Sequence, residues 1–259
     1  MSNDPRTVAQ RTQRLGARKK NQLGSWMEVV LYNTAGDITV KFSNGYLVKT
    51  RWFYFEKGNV ISPYDRTVHG VGFLGVGKHA AYRNRKPTPE YATWKHMLYR
   101  CYDERHAVKQ PTYKGCWVAK EWHNFQNFAE WYNENWYTVG TQKMCLDKDI
   151  INKGNKTYSP DTCIFVPERI NTLIINNGRS RGKYPIGVSY VRTGKTYVAK
   201  YRRDSHSCSL GVFKTIEEAF NAYKQHKEAY ICEVAEQYRD CIPKKLYQAL
   251  TCYKIEITD

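Results

Sequence analysis

The stretch LDKDIINKGNKTYSPDTCIFVPERIN, Leu146 to Asn171, decides how the chain is read. Asp147 and Asp149 alternate with Leu146, Lys148 and Ile150, as at the end of a strand, and Ile164 to Val166 is a second short β-like run. Asn152, Gly154 and Asn155 tolerate positive φ and suit the bend between them. Pro167 fits the first turn of a helix running through Arg169 and Asn171. The segment reads as a β-hairpin followed by a helix, with acidic groups at one end.

Residues i and i+2 of a regular strand share a face, so Asp147 and Asp149 can converge on one ion. Hard oxygen donors suit Mg²⁺ or Mn²⁺, and phosphodiester hydrolysis uses such an ion to offset charge on the transition-state oxygens. On this reading Asp147 and Asp149 are catalytic residues that hold the ion, Asn171 or Asn155 completes the site, and Lys148 contacts phosphate. His123 is the candidate base or extra ligand. On the other reading the two aspartates cap turns and pair with Lys153 or Arg169, and His123 is an ordinary surface histidine on a helix.

The order of these residues, with Gly154-Asn155, Tyr158, Pro160, Cys163 and Asn171 following Leu146-Asp147, resembles the HNH-type endonuclease-like proteins of phages and bacteria. YATWKHMLYRCYDE, Tyr91 to Glu104, and CWVAKEWHNFQNFAEWY, Cys116 to Tyr132, look like helices that precede that family's core. The resemblance covers roughly the middle third of the chain. It implies a ββα nuclease-type centre over residues 90–178 and metal-dependent DNA cleavage, as in homing endonucleases. The family has a histidine at the end of its first strand. Here Asp147-Lys148-Asp149 holds that place, and no histidine occurs between Cys145 and Asn177. That departure supports a nuclease-type fold more strongly than hydrolase activity. The alternative it leaves is a catalytically inactive nucleic-acid-binding protein, or a regulatory protein that acts on a host factor.

Upstream, Trp94, Met97, Leu98 and Cys101 recur at helical spacing over Glu90 to Tyr102, with Thr88 as a plausible N-cap. Trp122, Phe125, Phe128, Ala129 and Tyr132 form the apolar stripe of a second helix, Glu121 to Trp136. Residues 63–89, glycine-rich around GVGFLGVGK, read as a strand-rich linker. They lack the order of a phosphate-binding loop. From Trp26 the period is two: Met27, Val29, Leu31, then Ile38, Val40, Phe42, then Tyr46, Val48, Thr50 and Trp52. Turn signals at Asn33 to Asp37 and at Asn44-Gly45 divide them. Residues 25–62 therefore predict a small SH3-like β-barrel, a nucleic-acid or protein-docking accessory or a structural cap. Residues 1–24 carry Arg6, Arg11, Arg14, Arg18, Lys19 and Lys20 against Asp4 alone, and read as a basic arm lying along phosphates.

Downstream, residues 179–259 return to period two. GVSYV from Gly187, TYVAKYRR from Thr196 and SCSLGVF from Ser207 predict three strands. Thr215 with Glu218 makes a capping box for a helix from Glu217 to Tyr230, and two further helical runs follow it. Three strands and a helix ending in LGVFKTIEEAFNAY resemble the AP2/ERF-type DNA-binding domain. That resemblance implies a sheet lying in the major groove of double-stranded DNA, with Arg192, Lys195, Tyr197, Lys200, Arg202 and Arg203 on or between its strands. Arg179 and Arg181 form a basic hinge before it.

The totals agree with a polyanion partner. The chain has 259 residues, 41 Lys+Arg against 24 Asp+Glu and a formal charge of +17. Its 21 Tyr and 7 Trp exclude a disordered basic tail. Eight cysteines include no C-x-x-C pair, which argues against a zinc ribbon, although a site joining Cys101, Cys116, Cys145 and Cys163 is conceivable. Reduced thiols, a polar amino-terminal stretch and no apolar run of membrane-spanning length predict a cytoplasmic protein with no membrane partner. If phage-encoded, it would act in a bacterial host cell. The expected class is multidomain α+β: barrel, HNH-like centre and AP2-like reader, with DNA as the first partner and RNA or a host protein as the others.

Overall fold

A computed structural model of the chain describes residues 5–174, 183–204 and 206–259. It is a mixed α+β protein with several small antiparallel sheets. It divides into two compact units, residues 1–134 and 135–259. The division falls inside the 90–178 region that the sequence suggests as one module.

The first unit opens with helix α1 (Pro5–Arg14) and strands β1 (Arg18–Lys20), β2 (Trp26–Thr34), β3 (Asp37–Phe42) and β4 (Leu47–Thr50). The strands pair antiparallel in sequence order. Among the described residues this sheet stays open, so the expected barrel is not closed; the short helix α2 (Trp52–Lys57) covers it instead. The inner face buries Met27, Val29, Tyr32, Ile38, Val40 and Phe42 with Phe55 and Val60. A register shift after Val29 moves the next inward position to Tyr32, which leaves Leu31 exposed, against the simple alternation. Trp52 begins α2 rather than continuing a strand.

Buried Asp65 ties the start of this sheet to the chain that leaves it. Its Oδ2 accepts from Asn21 Nδ2 at 2.8 Å and from the Ser62 amide at 2.7 Å, and its Oδ1 accepts from Ser25.

The two-residue strands β5 (Tyr82–Arg83) and β6 (Lys86–Pro87) make a tight hairpin, with Asn84 and Arg85 both at positive φ. Helix α3 (Pro89–Tyr102) follows, then α4 (Glu104–Lys109), strand β7 (Trp117–Val118), a 3₁₀ turn at Lys120–His123 and α5 (Phe125–Asn135). Thr88 precedes α3, but its hydroxyl donates to the Ala80 carbonyl at 3.0 Å instead of capping the helix. Trp94, Met97, Leu98, Trp122, Phe125 and Phe128 are fully buried, and Trp94 Nε1 donates to the Trp122 carbonyl at 2.6 Å. The glycine-rich stretch is packed against these helices. A Cβ on Gly72 would overlap the side chains of Leu98 and Trp94. The Phe125 amide also donates to the Phe73 carbonyl at 2.9 Å.

In the second unit, β8 (Met144–Asp147) is followed by β9 (Thr157–Tyr158), β10 (Ile164–Pro167) and α6 (Glu168–Ile174). Strands β8 and β10 pair antiparallel, Asp147 opposite Ile164. Strands β11 (Val188–Val191), β12 (Thr196–Arg203) and β13 (His206–Phe213) form a three-stranded antiparallel sheet in that order. Helix α7 (Ile216–Tyr238) packs on it and α8 (Lys244–Thr251) follows. The Thr215 hydroxyl accepts the Glu218 amide, and the Glu218 carboxylate accepts the Thr215 amide, closing the capping box. One core runs through this unit, with Val166 and Ile170 joining Ala199, Ala219, Tyr223, Ile231, Val234, Ala235 and Leu246.

Candidate functional site

Strand β8 ends at Asp147, so Asp149 lies on the bend beyond it and the two carboxylates do not share a strand face. Asp147 Oδ1 accepts the amides of Asp149 at 2.9 Å and Ile150 at 2.7 Å, and so shapes the turn that leaves the strand. Burial pushes the Asp147 carboxyl above the usual carboxylate range, and the Asp149 charge adds to the push. The two amide bonds and Lys148 oppose it.

Asp149 Oδ2 pairs with Lys148 Nζ at 2.9 Å. Lys148 is only 6% exposed and its ammonium lies 5.8 Å over the Tyr158 ring, so it faces inward rather than toward a phosphate. The lysine at Asp149 is thus Lys148, while Lys153 pairs with Asp259 and Arg169 with Asp204. Asn155 holds the bend from within, donating 2.7 Å bonds to the carbonyls of Lys148 and Thr157. Asn171 is half-buried on α6.

A resident Mg²⁺ or Mn²⁺ needs carboxylates that converge with their oxygens available. Here Asp147 Oδ1 is taken by two backbone amides and Asp149 Oδ2 by a lysine, on a bend where the two carboxylates do not share a strand face. Among the described residues no three His, Cys, Asp or Glu side chains are grouped to hold a metal ion. The donor set does not fit the ion as arranged. Of the four cysteines the sequence suggested, Cys101 and Cys116 belong to the first unit and Cys145 and Cys163 to the second, and burial pushes the Cys163 thiol up to about 12.

His123 belongs to the first unit and sits in the 3₁₀ turn before α5 rather than on the helix. Its Nε2 donates to the Val118 carbonyl at 3.1 Å, and the ring stands edge-on to Tyr102. Burial lowers its pKa from the usual histidine value, and the bond to the Val118 carbonyl opposes that shift. His123 links the turn before α5 to β7.

The sheet β11-β12-β13 separates its residues by face. Ala199 is fully buried, and Tyr197 and Tyr201 are half-buried against the same core. Tyr197 clusters with Tyr190 at 5.3 Å and Tyr184 at 5.7 Å between ring centroids, so it belongs to the inner face. Arg203 shares that parity: it pairs with Glu233 at 2.6 Å and lies 5.1 Å over the Tyr230 ring.

Lys200 and Arg202 point the other way and are exposed. The cross-strand register places Val198, Ser189, Ser207, Ser209 and Val212 around them. Lys200, Arg202 and Ser207 also border a cavity of about 420 Å³ together with Tyr253 and Asp259. Arg192 and Lys195 extend the outer face, exposed in the turn between β11 and β12, with Lys195 at positive φ. Arg179 and Arg181 lie outside the described residues.

Sequence reading missed Lys227. It sits four residues after Tyr223 and four before Ile231 on the inward stripe of α7, and borders the same cavity of about 420 Å³ with Tyr223 and Arg202. Burial alone lowers its amine to about 8. A lysine inside an apolar i, i+4 series was the available signal.

Compared with known proteins, the chain matches no family model, no curated protein and no solved structure.

Proposed function

We propose that this is a DNA-binding protein that grips a duplex through the outer face of β11-β12-β13. One observation carries the reading: Lys200 and Arg202 stand exposed on one side of the strand, while the intervening Tyr201 and the preceding Ala199 pack inward. Small neighbours such as Ser207 and Ser209 let the strand approach a groove. Lysine supplies phosphate contact, and the arginine fork suits a guanine edge. The AP2/ERF resemblance of Ile186 to Lys227 supports the same use of this sheet, and the +17 charge supports a polyanion over an acidic or neutral partner.

The HNH resemblance and the ββα order β8-β10-α6 favour metal-dependent cleavage as a second reading. The amide-bound Asp147 and the lysine-paired Asp149 favour occupancy of DNA without cutting. RNA or a host protein as partner is an outcome the same experiment detects.

The test is a duplex titration of the intact protein at several salt concentrations beside the double variant Lys200→Glu, Arg202→Glu. The variant is expected to lose duplex binding. Unchanged affinity and salt slope, or binding to duplex RNA alone, would overturn the reading. Plasmid incubated with Mg²⁺ or Mn²⁺ decides the second reading: cleavage that disappears in Asp147→Ala, Asp149→Ala supports it.

A further inference from the structure

The solvent face of the first sheet carries a pattern that the proposed duplex grip does not use. On β1 to β4 the outward residues are Arg18 and Lys20, then Trp26, Glu28, Val30 and Leu31, then Asp37, Thr39 and Lys41, and then Leu47 and Lys49. The register puts Lys20 directly opposite Trp26, and Arg18, Glu28, Lys41 and Leu47 in one row across all four strands. The two rows lie two residues apart, about 7 Å along the strands.

Trp26 is 53% exposed and Leu47 56% exposed. An indole left in water on a sheet face is an aromatic surface without an internal role. Lys20 Nζ stands 5.5 Å over the Trp26 ring. A groove of about 490 Å³ runs beside it, bordered by Arg18, Glu28, Lys41 and Ser43.

Charge selects the occupant. Four cations face outward with two carboxylates, and both carboxylates are matched within the sheet: Glu28 to Arg18 at 2.9 Å, Asp37 to Lys49 at 3.3 Å. Lys20 and Lys41 remain as uncompensated positive charge on either side of the indole. A planar ring flanked by uncompensated lysines complements a planar base flanked by phosphates. The base must be unstacked to offer its face, which a duplex does not allow.

We infer that the outward face of β1-β2-β3-β4 is a binding site for single-stranded nucleic acid, with Trp26 stacking on a base and Lys20 and Lys41 contacting the neighbouring phosphates. The site is sequence-tolerant, because every base has a π-face and the lysines read only the backbone. It is independent of the duplex grip in the second unit and works alongside it if both exist.

The experiment titrates the intact protein with fluorescein-labelled oligothymidylate, read by anisotropy and by quenching of tryptophan emission. Trp26→Ala is expected to weaken binding about tenfold and to remove the quenched component, whereas Trp26→Phe keeps most of the affinity. Lys20→Glu with Lys41→Glu is expected to flatten the salt dependence by about 1.4 in slope, the loss of two phosphate contacts on a single strand. Lys200→Glu, Arg202→Glu is expected to leave oligothymidylate binding intact, which separates this site from the duplex grip. Unchanged affinity in Trp26→Ala with native circular dichroism, or no binding of oligothymidylate by the unsubstituted protein, would overturn the inference. Should Trp26→Ala fail to fold, the lysine pair decides by the same slope.

Discussion

Asp147 Oδ1 accepts the Ile150 amide at 2.7 Å, across the turn that ends β8. The bond makes this aspartate a turn former, and an asparagine could make it equally well. Removing the acceptor in Asp147→Ala strands two amides and is expected to cost about 1–2 kcal/mol in urea unfolding. Asp147→Asn keeps the acceptor and removes a carboxyl whose pKa is raised in the fold. A raised carboxyl favours the folded state fully below its unfolded value, near 4, and loses that contribution as pH rises through the folded value. Asp147→Asn should therefore match or exceed the parent in stability at pH 7, with its advantage fading as pH falls toward 4. A large loss of stability at pH 7 would contradict this role.

Gly187 has φ near +77°, and a β-carbon there would fall within the ring of Tyr223. Strand β11 can thus lie on α7 only because this position has no side chain. Gly187→Ala is expected to destabilise the protein by about 2–4 kcal/mol, the sum of overpacking and left-handed strain. Truncating the ring with Tyr223→Ala should recover part of that loss in the double variant. Additive losses in the four-member cycle would show that the two residues do not meet.

Lys227 titrates in the other direction. Its amine is held near 8 against about 10.5 when unfolded. A depressed lysine favours folding only above its unfolded value, and the contribution is lost as pH falls through the folded one. At pH 7 the charged amine therefore works against the fold. Lys227→Met should raise the melting temperature at pH 7, and the gain should shrink between pH 8 and 10.5. Melting curves at pH 6, 8 and 10 check the trend; a variant less stable at every pH would refute it.

Arg202 and Arg203 are neighbours with opposite assignments. Arg202 faces outward, whereas Arg203 is held by Glu233 and Tyr230. Arg202→Ala should lower duplex affinity and reduce the salt slope by about 1. Arg203→Ala should leave the slope nearly unchanged. Equal effects in the two variants would remove the face assignment.

Local chemistry made some of this legible. The Thr215–Glu218 capping box needs only three residues of spacing, and three β runs before it are visible as period two. What escaped the sequence depended on contacts between distant residues. A bulge after Val29 reversed the expected alternation, so Leu31 is outward and Tyr32 inward. Glycines around Gly72 look like a linker until Trp94 and Leu98 are placed against them. Asp147 and Asp149 share a face only if the strand continues past Asp147, and the chain turns there instead. Thr88 has the right type for an N-cap, but its hydroxyl is drawn to Ala80. The sites diverge for the same reason: residue type suggested a metal, and the amides and lysine already on those oxygens could not be read from spacing.

The Asp65 carboxylate has a practical corollary for anyone wishing to express the first sheet by itself. A fragment trimmed to 25–62, where the alternating pattern begins and ends, would discard both Asn21 and Asp65 and open the clasp between entry and exit of the chain. Strand β1, which supplies Arg18 and Lys20, would leave with it. Cutting outside residues 16 to 66 preserves the polar knot and the cationic edge together.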